Sequence, residues 1–168
     1  MRAVMIGLVV ACVACPARAQ APAPPMAAQA MKTVASAADV AALMAKAKSE
    51  RKEGQSMIAQ PLLQLAPYTA SLEYRVAVAA AAVHQSEAEL FYVIDGAATM
   101  ITGGKLVGEK RTNAANLSGT SVDGGTSRRV ATGDFIMVPE NTPHWFSAID
   151  GSITLMSLHL PRPASAAR

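Results

Sequence analysis

The run His84-Gln85-Ser86-Glu87-Ala88-Glu89 places an imidazole and two carboxylates close together, and Leu90 to Ile94 follows as a strand-like apolar run closed by Asp95-Gly96. A second stretch, from Gly133 to Phe146, repeats the combination. It has an apolar run at Phe135-Ile136-Met137-Val138, turn residues at Pro139, Asn141 and Pro143, and a histidine at 144. Together the two stretches hold two of the three histidines in the chain. Imidazole and carboxylate are the donors that zinc, iron, manganese and nickel take from proteins, so metal binding is the chemistry these residue types suit. Other chemistries are thin. No G-x-S-x-G elbow, H-E-x-x-H pair or P-loop occurs, and Gly103-Gly104 and Gly124-Gly125 read as turns rather than phosphate cradles.

Donors on separate stretches meet only if strands bring them to one face. From Pro61 onward the apolar pattern has strand period: Leu72, Tyr74, Val76 and Val78 alternate with Glu73, Arg75, Ala77 and Ala79. Leu90, Tyr92 and Ile94 continue the pattern. Asp95-Gly96 signals a hairpin, with Ala97 to Thr102 as the return strand. Lys105 to Lys110 follows a second turn. The stretch Thr112 to Thr126 is poor in large apolar residues and reads as a long loop with at most one short strand. Ser127–Ala131, Phe135–Val138, His144–Ala148 and Ile153–Leu160 complete the set, with Asp150-Gly151 as the last hairpin turn. Many short strands with frequent turn signals predict an all-β antiparallel barrel or jelly roll, without internal repeats. One helix precedes it. Ser36 is its N-cap and Asp39 its capping-box acid; Val40, Leu43, Met44 and Ala47 form an apolar stripe, and Gly54 is a plausible stop. This helix is expected to pack on the outside of the barrel.

On these residues the chain resembles the cupin superfamily of small β-barrels. His84 takes the second histidine of the first family motif, followed by four residues, Glu89, six residues and Gly96. In the second motif Gly133, Pro139 and His144 match at the family spacing. Asn141 stands where glycine is usual, a change that left-handed backbone angles tolerate, and Ala148 replaces the final Asn. The resemblance covers roughly the last two thirds of the chain. It implies a metal site made by His84, Glu89 and His144, with Fe, Mn, Ni or Zn as the divalent ion and a small organic ligand in the barrel. If the chain is an enzyme, dioxygenase or isomerase chemistry follows by the same resemblance. A homodimer through barrel edges is a further implication.

Ala82 is the main departure, because the family's usual four-ligand set has its first histidine there. Parity places Ala82 and His84 on one face, Glu89, Phe91 and Val93 on one face, and His144 with Phe146. The alternative is a metal-free pocket in which the histidines bond each other, Glu89 or water, in a binding or structural module without catalysis. Gln85 alternates to the opposite face, and Glu87 is read as a surface acid beside the mouth. His159, on the last strand, is read as a satisfied histidine at a strand edge rather than a fourth ligand. Trp145 is expected between barrel and outer elements. Phe91, Val93, Phe146 and Met137 are candidate walls. Lys110, Arg111, Arg128, Arg129 and Arg75 are candidate anion contacts, or plain solvated charges.

The first residues read as an address rather than as fold. Arg2, the apolar Ala3 to Ala14 and the small-x-small Ala17-Arg18-Ala19 make a signal peptide cleaved before Gln20, and they predict a periplasmic or secreted protein. The apolar run is too short to leave a membrane span after cleavage. An uncleaved anchor and lipidation at Cys12, after Val9-Val10-Ala11, are the alternatives. The only cysteines, Cys12 and Cys15, lie in that segment, so the mature chain has no thiol chemistry and no disulfide. The formal charge of +3 includes Arg2 and Arg18, so the mature chain is close to neutral and nucleic acid is not an expected partner. The expected organisation is a signal peptide at 1–19, an Ala/Pro-rich linker at 20–35, an amphipathic helix at 36–54, the barrel at 61–160 and a tail at 161–168. Hydrophobic residues make up 51% but aromatics only 4%, so the core is expected from aliphatic side chains.

Overall fold

The computed structural model describes residues 31–162. The signal peptide, most of the linker, the Cys12 alternative and most of the tail lie outside the described residues. Helix α1 spans Ala37–Glu50. Ser36 caps it: its hydroxyl accepts from Asp39 N–H at 3.1 Å, and Ser36 N–H donates to the Asp39 carboxylate at 2.8 Å. The helix ends at Glu50 rather than at Gly54, because Arg51 is already extended and closes the last turn through its N–H to Ala47 O. Ala47 is fully buried beneath the helix, and Lys48 lies over the Tyr74 ring on the barrel's outer face. The Ser36 backbone and hydroxyl bonds hold the Asp39 carboxyl below its ordinary value. The cap's contribution is therefore complete above about pH 4 and is lost as pH falls through that lowered value. Ser36→Ala should lower stability to urea by about 1 kcal/mol.

Eleven strands follow among the described residues. They are β1 (Met57–Leu65), β2 (Tyr68–Arg75), β3 (Ala81–His84), β4 (Glu87–Thr102), β5 (Lys105–Val107), β6 (Lys110–Arg111), β7 (Asn116–Gly119), β8 (Ser121–Asp123), β9 (Thr126–Ala131), β10 (Phe135–Val138) and β11 (His144–Pro161). All pairings are antiparallel. Strands β4 and β11 run side by side through both halves of the molecule. Their outer portions pair in the order β1-β2-β11-β4-β10, and their inner portions in the order β6-β7-β3-β11-β4-β9. Two sheets joined by two shared, bent strands make a jelly-roll barrel.

This arrangement corrects two expected hairpins. Asp95-Gly96 lies inside β4, and Asp150-Gly151 lies inside β11. The ladder runs Ile149 opposite Ala98 and then Ile153 opposite Gly96, so Asp150, Gly151 and Ser152 bulge out at that point. Gly96 and Gly151 have φ of 86° and 74°. A positive φ serves a bulged corner as well as a hairpin. The corner is formed because apolar residues on both sides of Gly96 find their partners along the same neighbour. Two further corrections are local. Strand β2 stops at Arg75, leaving Val78 exposed, and the stretch read as a loop contains both β7 and β8.

Between the sheets lies the core: Phe91, Val93, Ala98, Met100, Val130, Val138, Phe146, Ile153 and Leu155. It is aliphatic apart from two phenylalanines, which meet edge to face at 5.6 Å between ring centres. Leu72 is buried on the opposite face of β2, towards α1.

Candidate metal centre

Three strands bring the donor side chains together. His84 ends β3, Glu89 lies near the start of β4, and β11 contributes His144 from its first residue. Ladder register puts His144 opposite Ala82. The loop before His144 is tied to the same place: Asn141 adopts φ 55° and donates its N–H to His84 O at 2.7 Å. Near the far end of β11, Ser157 faces Phe91 and His159 faces Glu89 across the ladder. Strand parity then turns Ser157 and His159 into the barrel with Glu89.

The Glu89 carboxylate is the hub. Its Oε2 lies 3.3 Å from His84 Nε2 and 3.1 Å from His144 Nε2. Its Oε1 accepts a hydrogen bond from Ser157 Oγ and lies 3.6 Å from His159 Nε2. Glu89 is only 4% exposed and His144 6%. The outward nitrogen of each ring also has a partner. His84 Nδ1 meets Asn116 Oδ1 at 2.9 Å, His144 Nδ1 meets Thr142 O at 3.2 Å, and His159 Nδ1 meets Glu87 Oε2 at 2.8 Å. Each partner is an oxygen acceptor, so each Nδ1 is the protonated nitrogen. In a neutral ring, the Nε2 lone pair then faces Glu89.

That arrangement leaves an imbalance. Although two Nε2 atoms are close, Oε2 has no hydrogen bond of acceptable geometry among the described residues and is fully buried. A buried carboxylate oxygen ringed by imidazole lone pairs requires a cation, which is either a proton on a ring or a metal ion. Without metal the proton serves. The Glu89 contact, opposed by burial and aided by Asn116, raises the His84 pKa above its ordinary value. Burial alone pushes the Glu89 carboxyl up, but the His144 and His84 imidazoles and the Ser157 hydroxyl outweigh it and hold the group well below the usual carboxylate range.

Three of these donors, His84, Glu89 and His159, are spaced to fit a divalent ion, and His144 joins them through its contact with Glu89. Metal–donor bonds of about 2.0–2.2 Å place neighbouring donors about 3–3.5 Å apart. Donor atoms of His84, Glu89 and His159 lie within 4.8 Å of one another, whereas His144 falls outside that set despite its 3.1 Å contact with Glu89. His144 approaches Oε2 and His159 approaches Oε1, so the carboxylate links them. On one side the His144 ring meets Phe91, at 6.0 Å between ring centres.

The structure gathers His84, Glu89 and His144, and it adds His159, which the sequence places at a strand edge. The available signal was parity, since His159 shares a face with Leu155 and Ser157. Glu87 is not a free surface acid but the partner of His159. Asn116 went unrecognised because it lies in a stretch without apolar pattern. Gln85 turns away and accepts from Arg111 at 2.8 Å. Trp145 donates to Ala79 O at 2.9 Å. Phe91, Val93 and Phe146 are core residues, while Met137 is exposed and lines an open groove with Arg128, Phe135 and Ile136 rather than the histidine site. Arg75 is no anion contact: it forks onto Glu73 at 2.9 and 2.7 Å and lies over the Phe146 ring. Arg129 pairs with Asp150.

No protein-family model matches the chain, and none of the curated proteins does. Among solved structures, KdgF from Halomonas sp. aligns with a TM-score of 0.48 at 17% identity, over 67% of this chain and 86% of that one. Fe(II) HppE aligns with a TM-score of 0.49 at 16% identity over 66% of this chain and 54% of the other, so this chain spans about half its length. A Ralstonia eutropha JMP134 protein described as a candidate mannose-6-phosphate isomerase aligns at 0.47 and 16% identity, over 66% and 90%. At these identities no residue role or activity passes to this chain.

Proposed function

We propose that this chain is an exported protein of the cupin type that binds one divalent metal ion through His84, Glu89 and His144. A small organic molecule would occupy the adjoining barrel space. The observation that carries this reading is the buried, unpartnered Glu89 Oε2 facing imidazoles whose other nitrogens are already committed. Outer partners of that kind fix ring orientation and raise the donor strength of ligating histidines. A bound ion would supply Lewis-acid or oxygen-binding chemistry, and the motif resemblance favours a dioxygenase or isomerase. Glu89 serves as a ligand rather than a base, because Ser157 already donates to Oε1 and the unpartnered Oε2 is buried facing the imidazoles. Phe91 and Phe146 keep water from one flank, and the His84 and His159 flank is the more open. The leader at 1–19 supports export to the periplasm or medium, and the motif resemblance supports a homodimer paired through barrel edges.

The test is metal analysis of the mature protein after reconstitution with Fe(II), Mn(II), Ni(II), Zn(II) and Cu(II). One equivalent should be retained. His84→Ala and His144→Ala should weaken affinity by about ten- to a hundredfold. Failure to retain any of the five ions sinks the reading.

The raised His84 pKa favours a second reading, a metal-free module held by an imidazolium–carboxylate pair. There the His84 contribution to stability is complete below its unfolded value near 6.5 and is lost as pH rises through the higher folded value. Metal affinity runs the opposite way and strengthens as pH rises, because a ligating ring must shed its proton. Melting temperature against pH, with and without added metal, separates the two.

A further inference from the structure

We infer that His159 Nε2 is a fourth metal donor, filling from the last strand the role that Ala82 leaves vacant, with Glu87 as its positioning residue. This rests on the metal-binding reading above. The register supplies the first argument. His159 sits directly opposite Glu89, so the same backbone pairing that holds the carboxylate also aims the ring at it. Distance supplies the second. His159 Nε2 lies 3.6 Å from Oε1, and its ring meets that of His84 edge-on at 4.9 Å between centres. These separations are close to those of donors that share one ion. The third argument is orientation. Glu87 accepts from His159 Nδ1 at 2.8 Å, which leaves Nε2 turned inward, as in the other two histidines.

A simple ion pair between His159 and Glu87 explains less. The two side chains are 28% and 32% exposed, where such a pair contributes little. It would also leave the inward Nε2, 3.6 Å from Glu89 Oε1, beyond hydrogen-bond distance of the carboxylate it faces. Three imidazoles, drawn from β3 and both ends of β11, surround the Glu89 carboxylate of β4. Ala82 contributes no donor and lies opposite His144 in the ladder.

Cobalt(II) tests this, because its visible absorption reports the number and type of its ligands. Wild-type mature protein, His159→Ala, His159→Gln and Glu87→Gln are titrated with Co(II) after far-UV circular dichroism shows that their metal-free folds match. The expected result is one bound ion in the wild type. Both His159 variants should show at least tenfold weaker affinity and shifted bands, and Glu87→Gln should be weakened by about tenfold. Two His159 variants that bind Co(II) within twofold of wild type, with unchanged bands, overturn the fourth ligand and leave the three-ligand site standing. A wild-type protein that takes up no Co(II) overturns both.

Discussion

Glu89→Gln should yield a barrel that folds and retains no stoichiometric metal. The substitution keeps the shape of the side chain and one oxygen for Ser157, so the packing around Phe91 is preserved. It removes the negative charge on which the surrounding imidazoles converge. Loss of an outer partner costs ten- to a hundredfold in affinity, and loss of the hub ligand with its charge should exceed about a hundredfold. In the metal-free barrel the amide NH2 can donate to a neutral imidazole Nε2 while its oxygen accepts from Ser157, so the fold is kept while the anionic ligand is lost. A second signature appears without metal. Glu89 is the largest influence raising the His84 pKa, and the variant should lose that rise. The loss of stability expected of wild type on passing from acid to alkaline pH through the His84 titration should then flatten. Metal analysis and pH-dependent melting check the two halves separately. If Glu89→Gln binds metal as tightly as wild type, Glu89 is not a ligand.

The parts of this molecule that were legible in its sequence are those decided within a few residues. Ser36 and Asp39 announce a capping box because both bonds are made inside one turn. The strand Phe135–Val138 follows from a short apolar run beside a Gly-Asp turn, and Glu89, Phe91 and Val93 share a face by strand period alone. Asn141 could be expected at a left-handed position because its side chain tolerates one, and it has φ 55°. What was hidden depends on pairing between distant segments. His159 reaches the site only through the register of β11 on β4, and nothing near it in the chain specifies that register. Asn116 sits among Ala, Asn and Ser residues whose pattern has no periodicity, and its strand exists because β3 offers an edge to pair with. Asp95-Gly96 and Asp150-Gly151 carry the residues of a hairpin, but the same backbone angles serve a bulge. Which one forms is settled by the neighbouring strand.

The corner where β4 and β11 bend together gives the second large effect. Gly96→Ala should destabilise the protein far more than Gly151→Ala, although both residues lie at the same bulge with positive φ. A methyl group on Gly151 meets nothing within 4 Å, so its cost is the conformational one, about 1–2 kcal/mol. A methyl group on Gly96 would collide with Ser152 O and lie 3.0 Å from Ile153 Cα. Those are backbone atoms, and no rotamer change relieves the contact. Strand β11 must move away from β4, which adds a strain of about 1–3 kcal/mol to the conformational cost. The effect should reach the metal centre, because the register that sets His159 opposite Glu89 belongs to the same strand pair. Gly96→Ala should therefore weaken metal binding as well as resistance to urea, whereas Gly151→Ala should leave metal affinity unchanged. Equal losses of stability in the two variants would show that backbone angle, rather than the close approach of the two strands, makes glycine necessary at 96.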